Sequence, residues 1–323
     1  MRSPTAAVPA PEKLFLAAPR GYCAGVDRAV QTVEHALDIY GAPVYVRKEI
    51  VHNKHVVAEL RERGAIFVDE ETEVPEGSTV VFSAHGVAPS VHANAEQRGL
   101  FAIDATCPLV TKVHVEAKKF AADGYTIVLI GHAGHEEVEG TMGEAPEHIM
   151  LIETEDDVDR LDVEDPDRLA YLTQTTLSVG ETRAIIDRLR ERFPAIVGPR
   201  TDDICYATTN RQAAVKQMAE QCDLVLVIGS RNSSNSNRLV DVARAAGAEA
   251  HLIDHEGQVA EEWLAQARVV GITSGASAPE ELVQRLVDFF RARGTEEVAE
   301  FEVVQEDVRF MLPKEIRKAL AAA

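Results

Sequence analysis

Three cysteines share one setting, and that setting constrains the fold more than any other feature of the chain. Cys23 lies in the turn Pro19 to Gly25, Cys107 in Asp104 to Pro108, and Cys205 in Asp202 to Tyr206. Each follows a short run that reads as a strand (Leu14 to Ala18, Leu100 to Ile103, Ala195 to Val197), and each precedes a stretch that reads as a helix. A thiolate is favoured near a helix N-terminus, and open α/β sheets place their sites beyond the carboxyl ends of strands. A single cysteine is most often a small buried hydrophobe. Cys222, between the helix-like Thr208 to Glu220 and the apolar Leu224 to Ile228, fits that description. The other three share turn formers and polar neighbours, so a common role explains them better than three separate core fillings. A disulfide would leave one of the three unpaired.

The setting repeats in register. Gly131 follows Cys107 by 24 residues and Gly229 follows Cys205 by 24, while His52 follows Cys23 by 29. Each repeat reads strand, cysteine, helix, strand, polar loop, helix, strand, polar loop, helix. Short apolar strands alternating with helices indicate parallel sheets. The expected fold is α/β: three similar small α/β lobes with parallel sheets in a pseudo-threefold arrangement that brings the three cysteines to one centre. The expected lobes are residues 13–107, 108–201 and 202–294. Residues 1–12 read as a loose tail. Residues 295–323 read as a C-terminal extension, with a strand in Phe301 to Phe310, a helix in Pro313 to Leu320 and no motif that bears chemistry.

Composition narrows the function. A net charge of −20 disfavours non-specific nucleic-acid binding, which needs a basic surface. No apolar run reaches the roughly 18–20 residues of a membrane helix. The Ala/Pro-rich start lacks the apolar core of a signal peptide, so a cytoplasmic protein is expected. The acidic stretches Asp69 to Glu76 and Glu153 to Asp167 read as solvated faces and loops.

Three cysteines with no obvious fourth ligand suggest an iron–sulfur cluster with one open iron, or zinc held by three cysteines and a histidine. The polar loops suit a small anion. His52, His85 and His135 flank predicted strand ends, and Ser233, Ser234, Asn235 and Ser277 lie near predicted helix N-termini, where backbone amides favour anions. Taken singly, each reads as a cap or surface residue. The polar run Asn232 to Asn237, between an apolar strand and a helix, is harder to explain that way. Glu137, two residues after His135, fits a proton relay or merely a charge at a helix start. Thr175 offers a hydroxyl at another strand end. Gly229-Ser-Arg-Asn232 is neither a Walker nor a Rossmann fingerprint, so neither ATP nor NAD is inferred.

Taken in order, several segments resemble the LytB family of 4-hydroxy-3-methylbut-2-enyl diphosphate reductases. They are Arg20 to Ala29, Val51 to Asn53, Ser83 to Gly86, Asp104 to Val110, Gly131 to Thr141, Thr173 to Leu177, Asp203 to Gln212, Gly229 to Arg238 and Gly275 to Pro279. The resemblance spans roughly Leu14 to Val287. It implies a central cavity and one [4Fe-4S] cluster held by Cys23, Cys107 and Cys205. It implies that His52, His85, His135, Ser233, Ser234, Asn235 and Ser277 grip the diphosphate, with Glu137 and Thr175 serving the hydroxyl end as catalytic residues. It also implies electrons from an external ferredoxin or flavodoxin. The family usually has proline where this chain has Glu136, to which no proton role is assigned. Two other readings are another open-iron enzyme, such as a dehydratase or quinolinate-synthase-like lyase, and a zinc-stabilised diphosphate-binding module.

Overall fold

The structure is a computed structural model that describes residues 10–322. Most of the expected N-terminal tail, residues 1–9, lies outside the described residues. In chain order the strands are β1 Lys13–Ala18, β2 Val44–Arg47, β3 Ala65–Val68, β4 Thr79–Phe82, β5 Phe101–Asp104 and β6 Thr126–Ile130. They continue with β7 Ile149–Ile152, β8 Leu169–Thr173, β9 Leu224–Ile228, β10 Glu249–Ile253, β11 Val269–Ser274 and β12 Glu297–Glu302. They form three sheets of order β10-β9-β11-β1-β12, β3-β2-β4-β5 and β7-β6-β8. Every pairing is parallel. The expected three α/β lobes are therefore present, each built on its own sheet.

The chain forms two compact units. One comprises residues 10–23, 52–54 and 206–307 and contains the five-stranded sheet. Leu224–Ile228 is buried at every position, as a parallel strand covered on both faces must be. Alternate residues serve different layers. Leu14, Leu224 and Leu226 pack with Leu282, Val283 and Leu286 of helix Glu280–Arg291. Ala17, Val225 and Val227 pack with Val215 and Met218 of helix Tyr206–Ala219 and Leu239 of helix Ser234–Ala245. Each fully buried leucine or valine among them contributes about 1.5–3 kcal/mol.

The sequence places β1 at the head of the first lobe. The structure places it in this sheet, between β11 and β12, with Leu14 opposite Val270 and Ala17 opposite Phe301. The wholly buried Leu14 and Ala17 need cover that a strand with neighbours on both sides receives. The C-terminal extension thus supplies an edge strand, at Glu297–Glu302 rather than Phe301 to Phe310.

The other unit comprises residues 24–51, 55–205 and 308–322 and holds the four- and three-stranded sheets. Helix Pro108–Ala122 begins at the residue after Cys107 with proline in the first position, where a missing N–H costs nothing. The strand expected at Ala195 to Val197 reduces to one bridge, with Tyr171 N donating to Val197 O at 2.9 Å and Val197 N to Leu169 O at 3.0 Å. Pro194 and Pro199 bracket this segment, and neither can donate to a ladder. Among the described residues no helix is long and apolar enough to cross a membrane.

Candidate functional site

Glu137 sits on the short helix Glu136–Met142, which follows β6 and the turn at Gly131. It is 3% exposed, yet both carboxylate oxygens are satisfied. Thr175, just beyond β8, donates its backbone N–H to Oε1 at 2.6 Å and its hydroxyl to Oε2 at 3.0 Å. His135 caps the helix, its Nδ1 accepting the Glu137 N–H at 3.2 Å. That fixes the ring with Nδ1 occupied. The His85 ring meets the His135 ring edge-on, with centroids 5.9 Å apart. His85 Nδ1 lies 3.0 Å from Glu136 Oε2 and 3.3 Å from Ser83 Oγ. His85, His135, Glu137 and Thr175 thus belong to one connected cluster within this unit. Glu136 joins it as the carboxylate partner of His85, a role that its place in the sequence does not disclose.

In the unit with the five-stranded sheet, Ser233 caps helix Ser234–Ala245, its Oγ accepting the Ser236 N–H at 3.3 Å and its hydroxyl the Ser236 hydroxyl at 3.0 Å. Asn235 accepts the Ala276 N–H on Oδ1 at 2.9 Å. Its Nδ2 is buried with no acceptor. An unmet buried donor costs about 1–3 kcal/mol, so a ligand oxygen here has a donor waiting. Ser277 donates its hydroxyl to the His52 carbonyl at 3.0 Å, and Asn232 Nδ2 lies 3.2 Å from His52 Nδ1. His52, Ser233, Asn235 and Ser277 therefore border one set of turns at strand ends, and Ser234 opens the same helix.

The three cysteines each sit in the expected strand-to-helix turn. Cys23 N donates to Ala276 O at 3.2 Å, Cys107 N to Ala84 O at 3.0 Å, and Cys205 N to Thr175 O at 3.0 Å. Cys23 belongs to one compact unit, Cys107 and Cys205 to the other. The expected cofactor, one [4Fe-4S] cluster on these three ligands, is corrected by the geometry. Among the described residues, two sets of three side chains bring their ligand atoms within 4.8 Å of one another, and both consist of histidine and glutamate. No cysteine belongs to either. Each cysteine backbone is tied to a segment distant in sequence, at Ala276, Ala84 and Thr175. Cys222 is a half-buried thiol packed against the core of the five-stranded sheet and pushed up to about 12, by burial and then by the charge of Asp223.

Asp203, two residues before Cys205, was also not singled out by the sequence. It accepts the Thr173 N–H at 2.9 Å and pairs with Lys112 at 2.9 Å. Burial raises its carboxyl to about 7 against the pull of Lys112. It ties the Cys205 turn to β8. Neither this pair nor the His85–Glu136 pair leaves a local signature, because each joins residues more than fifty positions apart or differing from the family pattern.

Parallel-sheet lobes with polar turns at their strand ends, one of them holding a buried carboxylate, define an α/β enzyme. Residues 14–291 match the family model described as LytB protein. The chain is 61% identical to the 4-hydroxy-3-methylbut-2-enyl diphosphate reductase of Nocardia farcinica, over 95% of this chain and 91% of that protein. It is 59% identical to the reductase of the same name from Leifsonia xyli, over 96% of this chain and 92% of that protein. A solved structure of the E-1-hydroxy-2-methyl-but-2-enyl-4-diphosphate reductase from Plasmodium falciparum superposes with a TM-score of 0.94 at 37% identity, covering 97% of this chain and 99% of that one. The chain belongs to the LytB family.

Proposed function

We infer that this chain is the reductase of (E)-4-hydroxy-3-methylbut-2-enyl diphosphate, yielding isopentenyl and dimethylallyl diphosphates at the end of the non-mevalonate isoprenoid pathway. Two electrons and two protons enter, the allylic C–O bond breaks and water leaves. The family match and the shared fold support the reaction. The buried Glu137, held at both oxygens by Thr175, is the observation that carries the assignment of the proton donor.

Glu137 delivers a proton to the departing hydroxyl. The Thr175 hydroxyl suits this because it donates to an ionised carboxylate and accepts from a protonated one. It holds the acid in place through both states. His52, His85, His135, Ser233, Ser234, Asn235 and Ser277 bind the diphosphate. Support comes from the Ser233-capped helix start, whose amides favour anions, and from the unpaired Asn235 donor. The electrons come from a transient carrier of the ferredoxin or flavodoxin type in the cytoplasm. Substituting Asn235 by Ala tests the binding assignment. Titration with inorganic pyrophosphate is expected to show at least tenfold weaker binding, and unchanged binding removes Asn235 from the site.

A further inference from the structure

Arg211 is the largest wholly buried side chain of the described residues, at 0% exposed. It lies on helix Tyr206–Ala219 and takes no part in the chemistry above. One guanidinium nitrogen donates to both oxygens of Glu306, at 3.1 and 3.2 Å, and to Ala207 O at 3.1 Å. The other donates to Gly21 O at 2.9 Å. Asn210 Nδ2 adds a bond to Glu306 Oε1 at 3.1 Å. Glu306 comes from the C-terminal extension, whose sequence shows no motif that bears chemistry.

The Gly21 turn continues into the anion-binding turns. Gly21 has φ +72°, a conformation that glycine adopts readily. Its N–H donates to Ser274 Oγ at 2.8 Å. Two residues on, Cys23 N donates to Ala276 O at 3.2 Å. Ala276 N in turn donates to Asn235 Oδ1, and the neighbouring Ser277 holds the His52 carbonyl. Each link joins segments far apart in sequence, so fixing Gly21 fixes the wall that presents Asn235, Ser277 and His52.

We propose that the Glu306–Arg211 ion pair is a positioning device that holds the Gly21–Cys23 turn, and through Ala276 the Asn235 and Ser277 side chains, in register for the diphosphate. The proposal rests on the diphosphate assignment above. Burying an arginine is costly, and a buried ion pair is rarely more stabilising than well-packed hydrophobic residues of the same volume. What it adds is direction. The guanidinium stays charged and presents donors in a rigid plane, so it can clamp a carbonyl where an aliphatic side chain only fills space.

The test uses the full chain with four changes: Glu306→Gln, Glu306→Asp, the double change Arg211→Met with Glu306→Leu, and Asn235→Ala as a reference. Inorganic pyrophosphate binding is measured by calorimetry, thermal unfolding on the same samples, and KM against kcat with substrate. The double variant removes the buried charges while keeping volume, so its folding does not depend on a charged partner for Arg211. The expected result is about tenfold weaker pyrophosphate binding, worth one hydrogen-bonded constraint, in the double variant and in Glu306→Gln, with KM raised more than kcat falls. Glu306→Asp, which keeps the charge, restores part of the affinity. If the double variant folds and binds pyrophosphate like the unaltered protein while Asn235→Ala does not, the pair is merely structural and the proposal fails. If Asn235→Ala also binds normally, it is the diphosphate assignment that fails.

Discussion

Thr175 holds Glu137 by both carboxylate oxygens, with its backbone N–H on one at 2.6 Å and its hydroxyl on the other at 3.0 Å. The backbone bond fixes the acid whatever residue stands at position 175, whereas the hydroxyl bond depends on threonine or serine. The two functions can therefore be separated. Glu137→Gln keeps the shape and loses the proton, and turnover is expected to fall about 10²–10⁴-fold with little change in substrate affinity. Thr175→Val loses only the hydroxyl bond, worth about 1 kcal/mol, and should cost roughly fivefold. Thr175→Ser should be nearly normal. Single-turnover rates set beside substrate titrations check all three.

Position 136 carries more than its sequence suggests. Proline is well suited to the first position of a helix, so Glu136→Pro should leave folding nearly unchanged. It also removes the carboxylate 3.0 Å from His85 Nδ1, so it should not be silent toward ligand. Glu136→Gln keeps a hydrogen-bonding group beside His85 and removes one negative charge near the proposed diphosphate. Pyrophosphate binding should tighten several-fold at low salt, with the difference shrinking as salt rises. Calorimetric titrations at two ionic strengths check it. A loss of affinity in Glu136→Gln would assign Glu136 the job of holding His85 rather than opposing the anion.

Much of this architecture is legible in the sequence because it is local. Apolar runs of four to six residues ending in Gly, Pro or Cys mark the strand ends, and Pro108 or Ser233 marks the helix start beyond. Pairing between distant segments is not written locally. Nothing in Lys13–Ala18 announces that it lies between β11 and β12, and nothing in Glu306 points to Arg211. One local signal was available within an acidic stretch read as surface. Thr154 and Asp157 form a reciprocal capping box that starts helix Glu155–Arg160. The candidate site was legible as residue types at strand ends. The contact of Glu136 with His85 was not, because it joins two lobes.

His114 should make stability depend on pH. Its ring lies against the Gly86 turn and Gly140, with Nδ1 2.8 Å from Glu144 Oε1. A Cβ on Gly86 would lie 2.9 Å from the ring, so the packing is close. Burial lowers its pKa below the usual 6.5, outweighing the pull of Glu144 and Asp104, and Lys118 pushes the same way as burial. The neutral form is favoured in the fold. Its contribution is therefore full above pH 6.5 and is lost as pH falls, because the unfolded chain takes up a proton that the folded chain resists. His114→Gln should show a flatter Tm between about pH 7.5 and about pH 5.5 than the unaltered protein. Parallel curves would remove His114 as the cause.

Cys222 should be inert in the native state. Its thiol is pushed up to about 12 by burial, and a Cβ on Gly271 would lie 3.0 Å from the sulfur. Only the thiolate alkylates at a useful rate. Iodoacetamide at neutral pH followed by peptide mapping should leave Cys222 unmodified in folded protein and label it after denaturation. Native labelling would mean that the segment opens.

The central claim is reductive dehydroxylation. Its most direct test is anaerobic incubation of the protein with (E)-4-hydroxy-3-methylbut-2-enyl diphosphate and a chemically reduced one-electron dye, following dye oxidation and product mass together. The account predicts diphosphate products lighter by one oxygen atom, two electrons consumed for each, and the same products formed far more slowly by Glu137→Gln. Products formed without electron uptake, or an alcohol left intact while the diphosphate is cleaved, would contradict it.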